Sequence, residues 1–187
     1  MVADDRHAKL PGIIVFILAD IASFVLFFIV FMAERAKQLD VFVQSGQHVN
    51  VTLGLINTLI LITSGCLVAL AVPSARNGQI ILARRFILGA LAVGALFAVI
   101  KGVEYYQKIQ AGLLVDTNLY FTFYYIFTGL HFVHYVVGMT LLTLVYFKLK
   151  HQSSGHFLWL HSGALYWHMV DLLWIFIFPL LYFQGAR

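Results

Sequence analysis

Seven ionisable side chains stand where a chain of this composition leaves little room for them: Asp20, Lys101, Glu104, His131, His134, His168 and Asp171, all within or at the edge of long apolar runs. At the centre of a membrane helix such groups cost about 2.5–3.5 kcal/mol each on insertion scales, so each needs a partner or a function. His131 and His134 are three residues apart, as are His168 and Asp171, and side chains at that spacing share a helix face. Imidazoles beside carboxylates supply each other's hydrogen bonds in a low dielectric. Three chemistries fit: a satisfied polar pin that sets helix register, a proton antenna or relay serving a partner, and haem or metal ligation by facing histidines.

The elements that position these residues follow from composition. Of 187 residues, 61% are hydrophobic and 11% charged, with a mean hydropathy of +0.90; soluble domains carry roughly a quarter charged residues. Five apolar runs, at about residues 11–33, 49–72, 81–103, 119–147 and 157–183, are each long enough to cross a membrane as a helix. They lack the two-residue alternation of barrel strands, and only helices satisfy every backbone amide within one segment. The expected fold is all-α, a polytopic bundle of five transmembrane helices forming a single domain over residues 1–187. Pro11 suits a first helical turn, and Pro73 and Pro179 fall near helix ends. The first run carries Asp20 and lacks a small-residue cleavage pattern, so it is retained as a mature helix rather than a secretory signal.

Basic residues near the run ends set the expected orientation. Arg6, Lys9, Arg76, Arg84, Arg85, Lys148 and Lys150 fall on one side, against Arg35, Lys37, Lys108 and Arg187 on the other. The bias places the amino terminus in the cytoplasm and the carboxyl terminus outside. The sequence pI of about 9.3 then reflects topology and anionic lipid, with no nucleic-acid footprint.

Asp20 lies nine residues into the first run, roughly 14 Å from its end at 1.5 Å per residue. Alternating helix direction brings His134, His168 and Asp171 to a similar level, predicting one buried network across three helices. Lys101 and Glu104 are one turn apart near the end of the third run and read as an interfacial ion pair with a snorkelling lysine. Ala90, Gly94, Ala98 and Gly102 form a four-residue stripe that lets another helix approach, inside the bundle or in a partner. Trp159 fits an interfacial aromatic belt, whereas Trp167 and Trp174 are deep enough for core or partner contacts. Cys66, the only cysteine, reads as a small packed side chain with no thiolate metal site. The sequence holds no Gly-rich phosphate loop, serine-nucleophile motif or HExxH motif, and no soluble portion large enough for an active site.

Four motifs then suggest a family. Thr128-Gly129-Leu130-His131-Phe132-Val133-His134-Tyr135-Val136-Val137-Gly138 resembles the TGxHxxHxxxG helix of haem-copper oxidase subunit III, and Tyr166-Trp167-His168-Met169-Val170-Asp171-Leu172-Leu173-Trp174 resembles its YWHxVDxxW helix. Glu104-Tyr105 is similar to the EY element, and Leu55-Ile56-Asn57-Thr58 to the LNT helix. The long form has seven helices, and this chain starts at what would be the third. Asp20 stands where the family usually carries a buried glutamate, one methylene longer. Asp20, Lys101 and the ending Trp174-Ile175-Phe176-Ile177-Phe178-Pro179-Leu180-Leu181-Tyr182 look more like the family's accessory branch associated with nitric oxide reductases.

The resemblance implies a non-catalytic accessory subunit, without haem, copper or other metal of its own and with bound phospholipid, in a bacterial inner membrane. Its implied partner is a catalytic haem-copper subunit I or a nitric oxide reductase large subunit, for which it supports assembly, stability and proton uptake. The rival from the residues alone is a small self-sufficient b-type cytochrome using the same histidines.

Overall fold

Short polar breaks between long apolar runs force consecutive helices to lie antiparallel and side by side, and the connections show how. The computed structural model describes residues 10–151 and 155–184. Among the described residues five helices are long and apolar enough to span a membrane: α1 (Leu10–Lys37), α3 (Val51–Arg76), α4 (Ile80–Gln110), α5 (Leu119–Lys150) and α6 (His156–Tyr182). A short sixth helix, α2 (Leu39–Gly46), was not expected from the sequence. It docks Phe42, fully buried, against the rings of Phe31, Tyr120 and Phe123.

The spans outrun their apolar limits because their polar ends are paired or capped. α1 continues to Lys37, whose Nζ lies 2.6 Å from Glu34. α4 continues seven residues beyond its expected end at 103. Asn50 and Asn118 cap α3 and α5 by accepting from the Leu53 and Phe121 amides, each at 3.1 Å, satisfying donors that a helix start leaves free. Gly78 and Gly112, with φ of 76° and 72°, end α3 and α4. After α3 the Gln79 amide reaches Ser74 O at 2.9 Å, and after α4 the Leu113 amide reaches Lys108 O at 2.9 Å. This is the glycine-dependent closure that reverses a chain sharply.

α6 forms the axis of the bundle, with 61% of its apolar window buried against 6% for α1. α3 pairs with α4, and α5 with α6; α6 also packs on α3, while α2 links α1 to α5. α1 leans on the outside through a layer of rings, Phe24, Phe27, Phe28 and Phe31 meeting His134, Phe123 and Phe127. Arg6, Lys9 and Arg187, used in the orientation argument, lie outside the described residues.

Candidate functional site: a buried ion cluster and two separate histidine–aspartate pairs

The most concentrated chemistry lies toward one end of α4. Glu104 is 1% exposed and shared by two lysines on its own helix, Lys101 Nζ at 2.9 Å from Oε2 and Lys108 Nζ at 3.1 Å from Oε1. The Tyr182 hydroxyl, from the end of α6, donates to the same carboxylate at 2.8–2.9 Å. Lys101 also donates to the Tyr182 and Tyr124 hydroxyls at 2.7 and 3.3 Å. Its ammonium lies 4.9–5.6 Å from the ring centres of Trp174, Tyr124, Tyr182 and Tyr105, and Lys108 lies 4.8 Å over Tyr124. Two lysines to one carboxylate leave an excess of positive charge, and the aromatic faces around it are the complement that a dry interior offers.

This corrects the expectation of an interfacial pair with a snorkelling lysine. Lys101 is 3% exposed, because α4 runs on past it and α5 and α6 close over it with aromatic side chains. Lys108 is part of the cluster rather than a free charge of the α4–α5 connection, so it drops out of the orientation count. The spacing of Lys101, Glu104 and Lys108, at steps of three and four, was the available signal. Nothing local pointed to Tyr182 or Tyr124.

The family-like motifs meet one another here. Trp174 Nε1 donates to Thr58 Oγ1 at 3.0 Å, joining the YWHxVDxxW helix to the LNT helix. The Tyr105 hydroxyl lies 2.6 Å from Thr128 Oγ1, joining the EY element to TGxHxxH. Trp167 and Trp174 are fully buried, as expected, and Trp159 is 39% exposed with Lys148 over its ring at 5.4 Å.

The predicted single network of Asp20, His134, His168 and Asp171 is divided instead. His134 Nε2 lies 3.1 Å from Asp20 Oδ1, bridging α5 and α1, while His134 Nδ1 faces the Leu130 carbonyl at 2.7 Å. His168 Nδ1 lies 3.8 Å from Asp171 Oδ2 on a different side, where α6 faces α3. The Asp171 carboxylate occupies the space beside Gly65 that a Cβ there would fill. Depth along a helix carries no information on angular position around the bundle.

His131 is separate from both pairs. It is fully buried, with the rings of Phe97 and Trp174 centred 5.5 and 5.1 Å away, and neither ring nitrogen has a hydrogen-bond partner among the described residues. Among the described residues, the rings of Phe97 and Trp174 pack directly against it. Among the described residues no three His, Cys, Asp or Glu side chains converge as a metal site.

The small-residue stripe also divides. Ala90 and Gly94 are buried, their carbonyls accepting from Ser64 Oγ at 2.9 Å and Tyr135 OH at 3.0 Å. Ala98 is half-buried, and Gly102 is exposed with nothing within 4 Å of where its Cβ would be. Four residues turn a helix by about 400°, so a four-residue stripe drifts roughly 40° per step and leaves the face on which it began. Cys66 is exposed on α3 rather than packed.

These features define a multi-pass membrane protein of five spanning helices whose polar side chains bond helix to helix. The family model described as cytochrome c oxidase subunit III matches residues 6–186. A cytochrome c oxidase subunit 3 of Rhipicephalus sanguineus is 32% identical over 182 residues, covering 91% of this chain and 68% of the relative. That of Prototheca wickerhamii is 31% identical over 184 residues, covering 94% and 69%, and that of Corynebacterium diphtheriae 28% over 179 residues, covering 92% and 86%. The chain belongs to the cytochrome c oxidase subunit III family, the haem-copper oxidase subunit III family to which its motifs pointed.

Proposed function

We propose that the chain is a non-catalytic accessory subunit, packed beside the catalytic haem-copper subunit of a respiratory complex in a bacterial inner membrane. It has its amino terminus in the cytoplasm and its carboxyl terminus in the periplasm. One observation carries the reading: five of the signature residues are engaged in bonds between helices. Glu104, Tyr105, Thr128, Thr58 and Trp174 bond across helices rather than lining a substrate or cofactor cavity. The buried cluster at Glu104 then locks α4, α5 and α6 into a rigid bundle, which is what a supporting subunit presents to its partner.

The catalytic partner would hold the haem and copper, and phospholipid would fill the surface against it. In this reading no redox centre belongs to this chain, and the ring packing around His131 supports that. The Asp20–His134 pair, partly exposed between α1 and α5, is the best placed of the polar groups to support proton supply. Asp20 in place of the family's glutamate and Lys101 at the centre of the cluster favour the nitric oxide reductase branch over a terminal oxidase as the complex it joins.

Mild-detergent purification of the tagged chain from its native membrane tests the reading. A haem-bearing catalytic subunit should copurify, and the chain produced alone and purified folded in mild detergent should show no Soret absorption. Haem retained on the isolated chain would favour the small cytochrome, and absence of any haem subunit from the purified material would overturn the proposal. Nitric oxide and oxygen reduction by the purified complex distinguish the two branches.

A further inference from the structure

His134 is engaged at both ring nitrogens, and the chemistry of the two contacts limits where protons can sit. Nδ1 lies 2.7 Å from the Leu130 carbonyl, and Nε2 lies 3.1 Å from Asp20 Oδ1 on α1. A carbonyl oxygen only accepts, so the first contact requires a proton on Nδ1. A neutral ring protonated there presents a lone pair at Nε2, and an ionised carboxylate presents another. The second contact is a hydrogen bond only if a further proton lies in it, on the ring or on the carboxyl. In water at neutral pH an imidazole and a carboxylate hold one proton between them, on the ring. This geometry needs two.

The surroundings favour the doubly protonated form. The His134 and Asp20 side chains are 17% and 15% exposed, and the Phe24 ring stands T-shaped against the imidazole at 5.7 Å. Asp20 is ten residues from the start of α1, about 15 Å at 1.5 Å per residue, which is half of a hydrocarbon core of roughly 30 Å. Its other oxygen, Oδ2, is buried with no hydrogen-bond partner among the described residues. Without the second proton the pair carries a net negative charge at this depth, with one oxygen bare and the other facing a lone pair, which a low dielectric penalises. With that proton the net charge is zero, as imidazolium and carboxylate or as imidazole and carboxylic acid. Tyr166 of α6 and His131 of α5 are the other titratable groups that act on the pair. On α1 the next charged residue is Glu34.

We propose that Asp20 and His134 form a proton-binding site near the membrane midplane, and that the bound proton latches α1 to α5. Loading adds one proton from water to the contact between Nε2 and Oδ1, and release returns it. Release leaves two lone pairs facing each other at 3.1 Å, so the contact opens. α1 is the helix most sensitive to this, because only 6% of its apolar window is buried. Its layer of phenylalanine rings and the Arg35 bond to Gln184 are what else hold it. Every atom of the site belongs to this chain, so the latch does not depend on the accessory-subunit reading.

The test uses the chain with isotope-labelled histidine, purified in mild detergent together with whatever subunits accompany it. At neutral pH, nitrogen NMR should show a proton on Nδ1 of His134, the signal being assigned by its loss in His134→Gln or its shift in Asp20→Asn. It should also show either a second proton on Nε2 or a bare Nε2 accompanied by the infrared band of a protonated carboxyl that Asp20→Asn abolishes. A bare Nδ1, or a bare Nε2 beside an ionised Asp20, overturns the site. For the latch, Asp20→Asn is the informative variant, since its carboxamide donates to Nε2 without a second proton. Folding that takes up a proton weakens as pH rises, so the melting temperature of the parent should fall more steeply above neutral pH than that of Asp20→Asn. Parallel curves overturn the latch, and the NMR result on the parent stands whether or not either variant folds.

Discussion

Glu104→Gln is the substitution for which the structure makes the firmest demand. The carboxylate is the shared partner of Lys101 and Lys108, which are 3% and 4% exposed, and of the Tyr182 hydroxyl. Removing one partner of a buried ion pair typically costs about 3–5 kcal/mol, because the remaining charge stays buried and uncompensated. Here two lysines lose their countercharge, so the upper part of that range applies. For a chain of this size roughly 1 kcal/mol corresponds to 2–4 °C, which places the expected fall in detergent melting temperature at about 8–20 °C for about 4–5 kcal/mol. Lys101→Met is the internal control. It leaves Glu104 paired with Lys108 at 3.1 Å and still accepting from Tyr182, so the loss should be smaller, about 1–3 kcal/mol for the abandoned hydrogen bonds. The order matters more than either value. A Glu104→Gln protein that melts within about 2 °C of the parent, or one more stable than Lys101→Met, would refute the view that a shared carboxylate holds the cluster.

Other outcomes follow from the same geometry. Gly138→Ala would place a Cβ 2.7 Å from Trp167 Cε3, so it should destabilise by about 1–3 kcal/mol as an overpacked core does. Gly102→Ala, with nothing within 4 Å, should be neutral or raise the melting temperature slightly through helix propensity; equal effects at the two positions would contradict the close packing at Gly138. A double-mutant cycle on Tyr105→Phe and Thr128→Val should return a coupling of about 0.5–1.5 kcal/mol for their 2.6 Å contact, and no coupling would place the motifs apart. His131→Leu removes ring nitrogens that have no partner among the described residues, so thermal stability should change by less than about 1.5 kcal/mol, with complex haem content unaltered. A large loss of either would give His131 a role that its packing does not reveal.

Much of the fold was legible because the membrane restricts the alternatives so strongly. Run length and composition determine span number, since a helix of about 20 apolar residues is the shortest solution that satisfies its own backbone. The helix ends were less legible. α4 extends to Gln110 through Lys101, Glu104 and Lys108 because those charges are paired and faced by aromatic rings within the bundle, and hydropathy counts them as an exit from the membrane. α2 escaped notice because an eight-residue helix has too few turns to show a period, and its buried Phe42 depends on rings from α1 and α5.

The candidate site shows the same boundary. That Asp20, His134, His168 and Asp171 needed partners followed from their residue types and from the dielectric around them, and the i,i+3 spacing of His168 and Asp171 correctly implied proximity along one helix. The same spacing failed for His131 and His134, one buried among rings and the other turned to α1. Residues three apart on one helix still differ by about 60° in direction, enough to reach different neighbours.

By itself the sequence determined the solvent, the number of spanning helices, the family and the list of polar residues that a membrane cannot leave alone. These depend on composition and on local periods, which any chain carries within itself. The tertiary structure alone decided the partnerships: Glu104 with Tyr182, Trp174 with Thr58, Asp20 with His134, and Asp171 beside Gly65. Each joins residues from different helices, and which faces meet depends on how the helices rotate about their axes, a quantity set by the packing of the whole bundle rather than by any one segment.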